Sequence, residues 1–165
     1  PLEVVVRNFA AGELSAKLGI PEGVALPRPI VEYYYKDERL NSPMVAEEHI
    51  VAFGWANQQD LDDMVALALR VNDFMSGVML GVGVRLADFR LEMGRIWEGD
   101  FMRLIVADEI TPDSCRLWDI RGMAEREGQP TPDPVPLADV YAELARRLGV
   151  MPSNVTHTTK PTLIN

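Results

Sequence analysis

The chain has 165 residues, of which 47% are hydrophobic and 25% charged, proportions that predict one folded domain with a real core and exclude a disordered chain. Its formal net charge of −9, with the acidic residues spread along the sequence, argues against generic binding to nucleic acid or to an anionic membrane, so any anionic ligand has to be held by a few placed cations. One cysteine, Cys115, excludes an internal disulfide framework, and neither a signal-like leader nor an apolar run long enough to span a bilayer is read, so a cytoplasmic location is expected.

The opening residues, PLEVVVRNFAAGE, start within what reads as a strand, and the expectation is a fragment of a longer protein. Leu2, Val4 and Val6 alternate with Glu3 and Val5, and Arg7 and Asn8 close the run before the small-residue turn Ala10-Ala11-Gly12. AGELSAKLG predicts a short helix closed by Gly19, IPEGVALPRP a connector, and IVEYYYK a strand. A long amphipathic helix follows, with Leu61, Met64, Val65, Ala68, Val71, Met75 and Val78 at helical spacing, Asn57 as its N-cap and Gly81 as its stop. VRLADFRLEMG and FMRLIVADEI read as strands joined by RIWEGD, whose Glu98-Gly99-Asp100 suits a hairpin turn. After a loop holding Pro130, Pro132, Pro134 and Pro136 comes a second helix, PLADVYAELARRLG, and then a tail without periodicity. The expected fold class is α+β, an antiparallel sheet with packed helices, with residues 1–150 forming one lobe and residues 151–165 an irregular tail.

The hairpin carries the residues on which chemistry can be built. Alternation puts Asp88, Arg90 and Glu92 on one face of their strand and Phe89, Leu91 and Met93 on the other. A turn centred near Gly99 sets Arg90 roughly opposite Asp108, with Glu92 diagonal to it at about 7–8 Å, close enough for two carboxylates to share a cation. Magnesium suits such a site, because one or two hard oxygen ligands are completed by phosphate and water. A solvent-facing hairpin with an Arg90–Asp108 cross-strand pair satisfies the same spacing, and both readings stay open on spacing alone.

PLEVVVRNFAAG, LADFRLEMG and VADEITPDSCRLWD, in this order and at these intervals, resemble the signature segments of the phosphoribosylaminoimidazole-succinocarboxamide synthase (SAICAR synthase) family. The similarity runs from Pro1 to about Trp118 and resumes in YAELARRLG. It implies the larger, C-terminal lobe of a two-lobed fold whose N-terminal lobe covers ATP. The implied activity is ATP-dependent ligation of L-aspartate to the carboxylate of carboxyaminoimidazole ribonucleotide, in purine biosynthesis. Carried over by motif, the catalytic set is Asp88, Arg90, Glu92 and Asp108, with Glu92 and Asp108 holding Mg2+ and the nucleotide phosphates. Arg7 and Arg116 would grip the ribonucleotide's phosphate and carboxylate, Asp113 would orient a substrate amino group, and Lys36 would contact an anion. The implied partners are small molecules, with no nucleic acid and no membrane, in a homo-oligomer such as a dimer.

Three departures qualify the resemblance. Gly12-Glu13 replaces the family's Gly-Ser, Arg90 stands where a lysine is usual, and the arginine-bearing segment expected after LWD has no counterpart, Arg121 and Arg126 being nearby but unmatched. An enzyme, a paralogue acting on another carboxylate, and a non-catalytic binding or assembly module of the same fold therefore remain alternatives. Elsewhere plain structural roles are expected: Cys115 as a packed residue, His49 and His157 at the surface or in caps, Tyr33-Tyr34-Tyr35 as a strand packed on both faces, and Glu47-Glu48 and Asp62-Asp63 as solvated helix faces.

Overall fold

The computed structural model describes residues 1–120 and 137–150. They divide into two units, residues 1–129 and 130–165, taken separately below. The first unit runs β1 (Leu2–Phe9), α1 (Gly12–Leu18), β2 (Ala25–Tyr35), a 3-10 turn (Glu38–Leu40), β3 (Met44–Val45), α2 (Glu47–Ala52), α3 (Gln58–Gly81), β4 (Val84–Glu98), β5 (Phe101–Val106) and β6 (Cys115–Asp119). All strand pairings are antiparallel, in a six-stranded sheet ordered β3-β2-β1-β4-β5 with β6 also on β4. This is the α+β class expected from the sequence.

Register sorts the side chains of the central strands onto two faces. Val4 lies between Tyr33 and Leu91, and Val6 between Val31 and Phe89, so these residues share one face. Val4, Val6, Phe89 and Leu91 are fully or almost fully buried there. α3 covers this face: the Tyr33 hydroxyl donates to the Leu61 carbonyl at 3.5 Å, and Asn8 Nδ2 donates to Asn72 Oδ1 at 2.7 Å. The α3 start follows from its cap, because Asn57 Oδ1 accepts from the Asp60 N–H at 2.9 Å while Asp60 Oδ2 accepts from the Asn57 N–H at 3.0 Å. It ends at the expected Gly81, with Val82 as its C-cap and Gly83 in the left-handed region (φ 75°). By length and composition α3 is apolar enough to cross a membrane, which corrects the expectation that no such run exists. Its Leu61, Met64, Ala68 and Met79 are buried, whereas Phe74 and Leu80 are exposed.

The other face of the same strands is polar. Glu3 lies between Tyr34 and Glu92, Val5 between Glu32 and Arg90, and Arg7 is opposite Asp88, which in turn is opposite Arg116 of β6. β5 and β6 occupy successive stretches of one β4 edge: the Glu92 carbonyl accepts from the Ala107 N–H and the Arg90 N–H donates to the Ser114 carbonyl, both at 2.9 Å. Residues 107–114 therefore leave the ladder and return to it beside Arg90 and Glu92.

Three boundaries differ from expectation. β2 begins at Ala25, inside the predicted connector: Pro27 and Pro29 fall in the register shift between the Ala25–Phe9 and Ile30–Arg7 pairs, where the ladder asks no N–H of them. β4 extends to Glu98 and β5 stops at Val106, leaving Gly99 (φ 65°) and Asp100 as a two-residue turn. β6 was not predicted as a strand; it is short and completes the edge of β4.

In the second unit α4 (Leu137–Arg147) ends in a Schellman motif, with the Val150 N–H on the Ala145 carbonyl at 3.0 Å, the Gly149 N–H on the Arg146 carbonyl at 3.2 Å, and Gly149 at φ 72°. The unmatched Arg121 and Arg126, His157 and the tail from residue 151 lie outside the described residues.

Candidate active site

The polar face holds two groups of side chains. In the first, Arg7 is buried and satisfied on three sides: Nε donates to Glu32 Oε2 at 2.6 Å, Nη2 to the Tyr34 hydroxyl at 3.0 Å, and Nη1 to Asp88 Oδ2 at 3.5 Å. The Tyr34 hydroxyl donates to Glu32 Oε2 at 3.0 Å. Asp88 Oδ2 also meets Arg116 Nε at 3.6 Å, and Arg116 Nη1 lies 3.7 Å from Glu22 Oε1. Burial pushes the Asp88 carboxyl above its ordinary value, against the pull of Arg116 and Arg7. For Arg7 burial disfavours the charge, yet the hydrogen bonds to Glu32 and Tyr34 outweigh it and hold the guanidinium pKa above its usual value. The Arg116 guanidinium lies on the α1 entry turn, where a Cβ added to Gly12 would sit 2.8 Å from both of its Nη atoms. Gly12 is also left-handed (φ 52°), the conformation that favours glycine here.

The second group lines a cleft of about 210 Å³ formed by Glu3, Arg90, Leu91, Glu92, Asp108, Glu109, Thr111, Asp113 and Ser114. Its wall is the 107–114 segment, folded by a turn in which Ser114 Oγ donates to the Thr111 carbonyl and accepts from the Thr111 N–H, each at 3.0 Å. Lys36 Nζ is bonded to Glu92 Oε1, a contact that raises the lysine pKa against a small opposing effect of burial. Arg90 Nη1 lies 3.7 Å from Glu3 Oε1. Asp108 is held below the usual carboxylate range by its hydrogen bonds with the Glu109 side chain and backbone N–H and by the nearby Lys36 charge, while Glu109 is raised by Asp108. Gly94 admits the start of this segment, since a Cβ there would stand 3.2 Å from Ala107 Cβ.

The residues singled out in the sequence thus divide. Arg90, Glu92, Asp108 and Asp113 share the cleft, with Lys36 on Glu92, whereas Asp88 joins Arg7 and Arg116 in the buried network. The Arg90–Asp108 cross-strand pair does not form. Pairing from Met93–Val106 to Glu98–Phe101 puts the hairpin one residue out of step with a turn centred on Gly99, and Arg90 turns to Glu3 instead. Glu3, Glu32, Tyr34, Thr111 and Ser114 escaped the sequence reading. Glu32 and Tyr34 share the parity of a polar strand face, but only cross-strand register brings them to Arg7. Cys115 is half-buried, its thiol pushed up to about 11 by burial, as suits a packed residue. His49 Nδ1 accepts from the Ala46 N–H at 3.2 Å and caps α2. Tyr33 and Tyr34 are buried and Tyr35 stacks on Trp55 at 4.4 Å.

Among the described residues no group of three or more His, Cys, Asp or Glu side chains is arranged to hold a metal ion. Glu92 and Asp108 still offer two carboxylates on one cleft, a donor set that fits an ion taking its other ligands from phosphate and water.

The family model for SAICAR synthetase matches residues 1–133. A phosphoribosylaminoimidazole-succinocarboxamide synthase from Dinoroseobacter shibae is 68% identical across 100% of this chain, which spans 66% of that relative's length. The crystal structure of the enzyme of that name from Ehrlichia chaffeensis matches with a TM-score of 0.77 at 37% identity, over 93% of this chain and 65% of that one. A SAICAR synthetase in complex with ADP matches with a TM-score of 0.77 at 35% identity, over 99% of this chain and 65% of that one. The signature segments, the sheet that carries them and these likenesses agree: the chain belongs to the SAICAR synthetase family.

Proposed function

We propose that the full-length protein ligates L-aspartate to carboxyaminoimidazole ribonucleotide at the expense of ATP, giving SAICAR, ADP and phosphate in the cytoplasm. The observation that carries this reading is the convergence of Glu92, Asp108, Asp113 and Arg90 on one cleft beside the Arg7–Asp88–Arg116 network, on a fold shared with a SAICAR synthetase solved with ADP.

A carboxylate resists attack by an amine, so its oxygen first takes the γ-phosphoryl group of ATP, releasing ADP and leaving an acyl phosphate. The aspartate amine then attacks the carbonyl carbon, the carbon–oxygen bond to phosphate breaks, and the amine proton is lost. Glu92 and Asp108 would hold Mg2+, which neutralises phosphate oxygens during transfer. Arg7 and Arg116, which meet at Asp88, bind the ribonucleotide's phosphate and carboxylate, a task suited to the fork of a guanidinium. Asp113 orients the amino group from the cleft wall, and Arg90 and Lys36 offset the cleft's acidity. The expected assembly is a homo-oligomer.

Glu13 bears on the alternative of a non-catalytic module, since it stands where the family has serine. Its carboxylate is paired with Lys17 Nζ at 3.1 Å and more than half exposed, an arrangement compatible with a working phosphate site. The test is product formation by the full-length protein with ATP, the ribonucleotide and L-aspartate. Phosphate and SAICAR released in equal amounts are expected, with Glu92→Gln lowering kcat by about 10²–10³. Absence of product with all three substrates saturating rejects the enzyme reading.

A further inference from the structure

Glu32 and Tyr34 have no part in the roles above, yet both are buried on the sheet face that carries Arg7. Two residues apart on β2, they point the same way, and Arg7 reaches diagonally across the strands to both. The three side chains close a ring: Arg7 Nε on Glu32 Oε2 at 2.6 Å, Arg7 Nη2 on the Tyr34 oxygen at 3.0 Å, and the Tyr34 hydroxyl on Glu32 Oε2 at 3.0 Å. Nε and Nη2 form one edge of the guanidinium, the edge that a carboxylate or phosphate most often takes. With that edge occupied and the group planar, the direction of Nη1 is fixed, and it faces Asp88, whose Oδ2 also lies 3.6 Å from Arg116 Nε.

Stability alone is a poor account of this ring. Desolvating a guanidinium together with two carboxylates is costly, and an apolar cluster of similar volume is often as stable or more so. A site that must hold an anion in one pose has a use for it, because a bound group keeps its geometry only when the residues behind it are locked.

We propose that Glu32 and Tyr34 are positioning residues that clamp the Nε–Nη2 edge of Arg7, so that Nη1, beside Arg116, is the group presented to the anionic ribonucleotide. This rests on the reading of Arg7 as an anion contact. The test compares Tyr34→Phe, Glu32→Gln, Arg7→Ala and the double variant Arg7→Ala/Tyr34→Phe in the full-length protein, measuring KM for each of the three substrates, kcat and the thermal midpoint. Tyr34→Phe removes one oxygen and Glu32→Gln keeps its shape, the smallest changes that open the ring, and the thermal midpoint reads what either costs the fold. The expected result is a rise in the ribonucleotide KM of about fivefold for Tyr34→Phe and about tenfold for Glu32→Gln, with the KM for ATP and for L-aspartate unchanged and a larger rise for Arg7→Ala. Tyr34→Phe added to Arg7→Ala changes nothing further, since the clamp then has nothing to hold. An unchanged ribonucleotide KM in both clamp variants, with Arg7→Ala still raising it, overturns the clamp and keeps Arg7 as an anion contact. An unchanged KM in Arg7→Ala overturns the reading of Arg7 and the clamp with it. A lowered thermal midpoint with all three KM values rising together assigns the ring to folding and also overturns the proposal.

Discussion

Glu13 and Gly12, adjacent in the α1 entry turn, show how single side chains tune the site. A free carboxylate about 4 Å from a phosphate costs on the order of 4 kcal/mol per unit charge at an effective dielectric near 20. On the reading that places the ribonucleotide phosphate at this turn, pairing Glu13 with Lys17 one helical turn on would take away part of that repulsion, in the favourable order with the acid N-terminal to the base. Glu13→Ser in the full-length protein is therefore expected to tighten the ribonucleotide by about tenfold or less, and Lys17→Ala to weaken it by freeing the carboxylate; titration calorimetry reads both. Unchanged affinity in both variants puts Glu13 outside the phosphate site. Gly12→Ala acts differently, since a Cβ at 2.8 Å from the Arg116 guanidinium displaces that group and the positive φ adds strain of about 1 kcal/mol. A raised ribonucleotide KM with an unchanged KM for ATP is the expected result.

At the scale of elements, what was legible depended on whether the signal was local. The start of α3 follows from Asn57 and the apolar spacing behind it, and α1 ends at Gly19 in the left-handed conformation. The beginning of β2 was hidden because Pro27 and Pro29 read as a connector, and only the register shift between the Ala25–Phe9 and Ile30–Arg7 pairs explains their presence in a strand. Register was also hidden: the turn between Glu98 and Phe101 decides whether Arg90 meets Asp108 or Glu3, and one residue of slip changes every pair. Glu92, Asp108 and Asp113, singled out by resemblance, line one cleft, while the Glu32–Tyr34 ring exists only once β1, β2 and β4 are aligned. α4 carries a local signal of its own, because Glu143 accepts from Arg146 Nε at 2.9 Å and from Arg147 Nε at 2.6 Å and its pKa is lowered to about 2. A carboxyl whose folded pKa lies below its ordinary 4.5 adds stability that is fully present above pH 4.5 and is lost as pH falls toward about 2. The backbone chemical shifts of α4 are therefore expected to lose helical character across that window, and Glu143→Gln to remove the pH dependence.

The whole molecule sets a limit on what these 165 residues do alone. The cleft holds about 210 Å³, below the roughly 300–1,000 Å³ typical of small-molecule sites, so one face of a nucleotide at most is covered. Glu3, Glu92, Asp108, Glu109 and Asp113 line it with Arg90 as the cationic lining residue, and the formal net charge of −9 extends that repulsion beyond the cleft. Lys36 offsets one carboxylate and is already engaged by Glu92. On the proposed reading, ATP, itself polyanionic, would gain in this cleft only what a divalent cation held by Glu92 and Asp108 would supply. Calorimetry on the 165-residue chain with ATP and Mg2+ is therefore expected to give a Kd weaker than about 1 mM, with the full-length protein, half as long again in the relatives that match it, binding at least about a hundredfold more tightly. Micromolar binding by the 165-residue chain would mean that its own cations hold the nucleotide, and would move the phosphate site from the acidic cleft to the Arg7–Arg116 group on the same face.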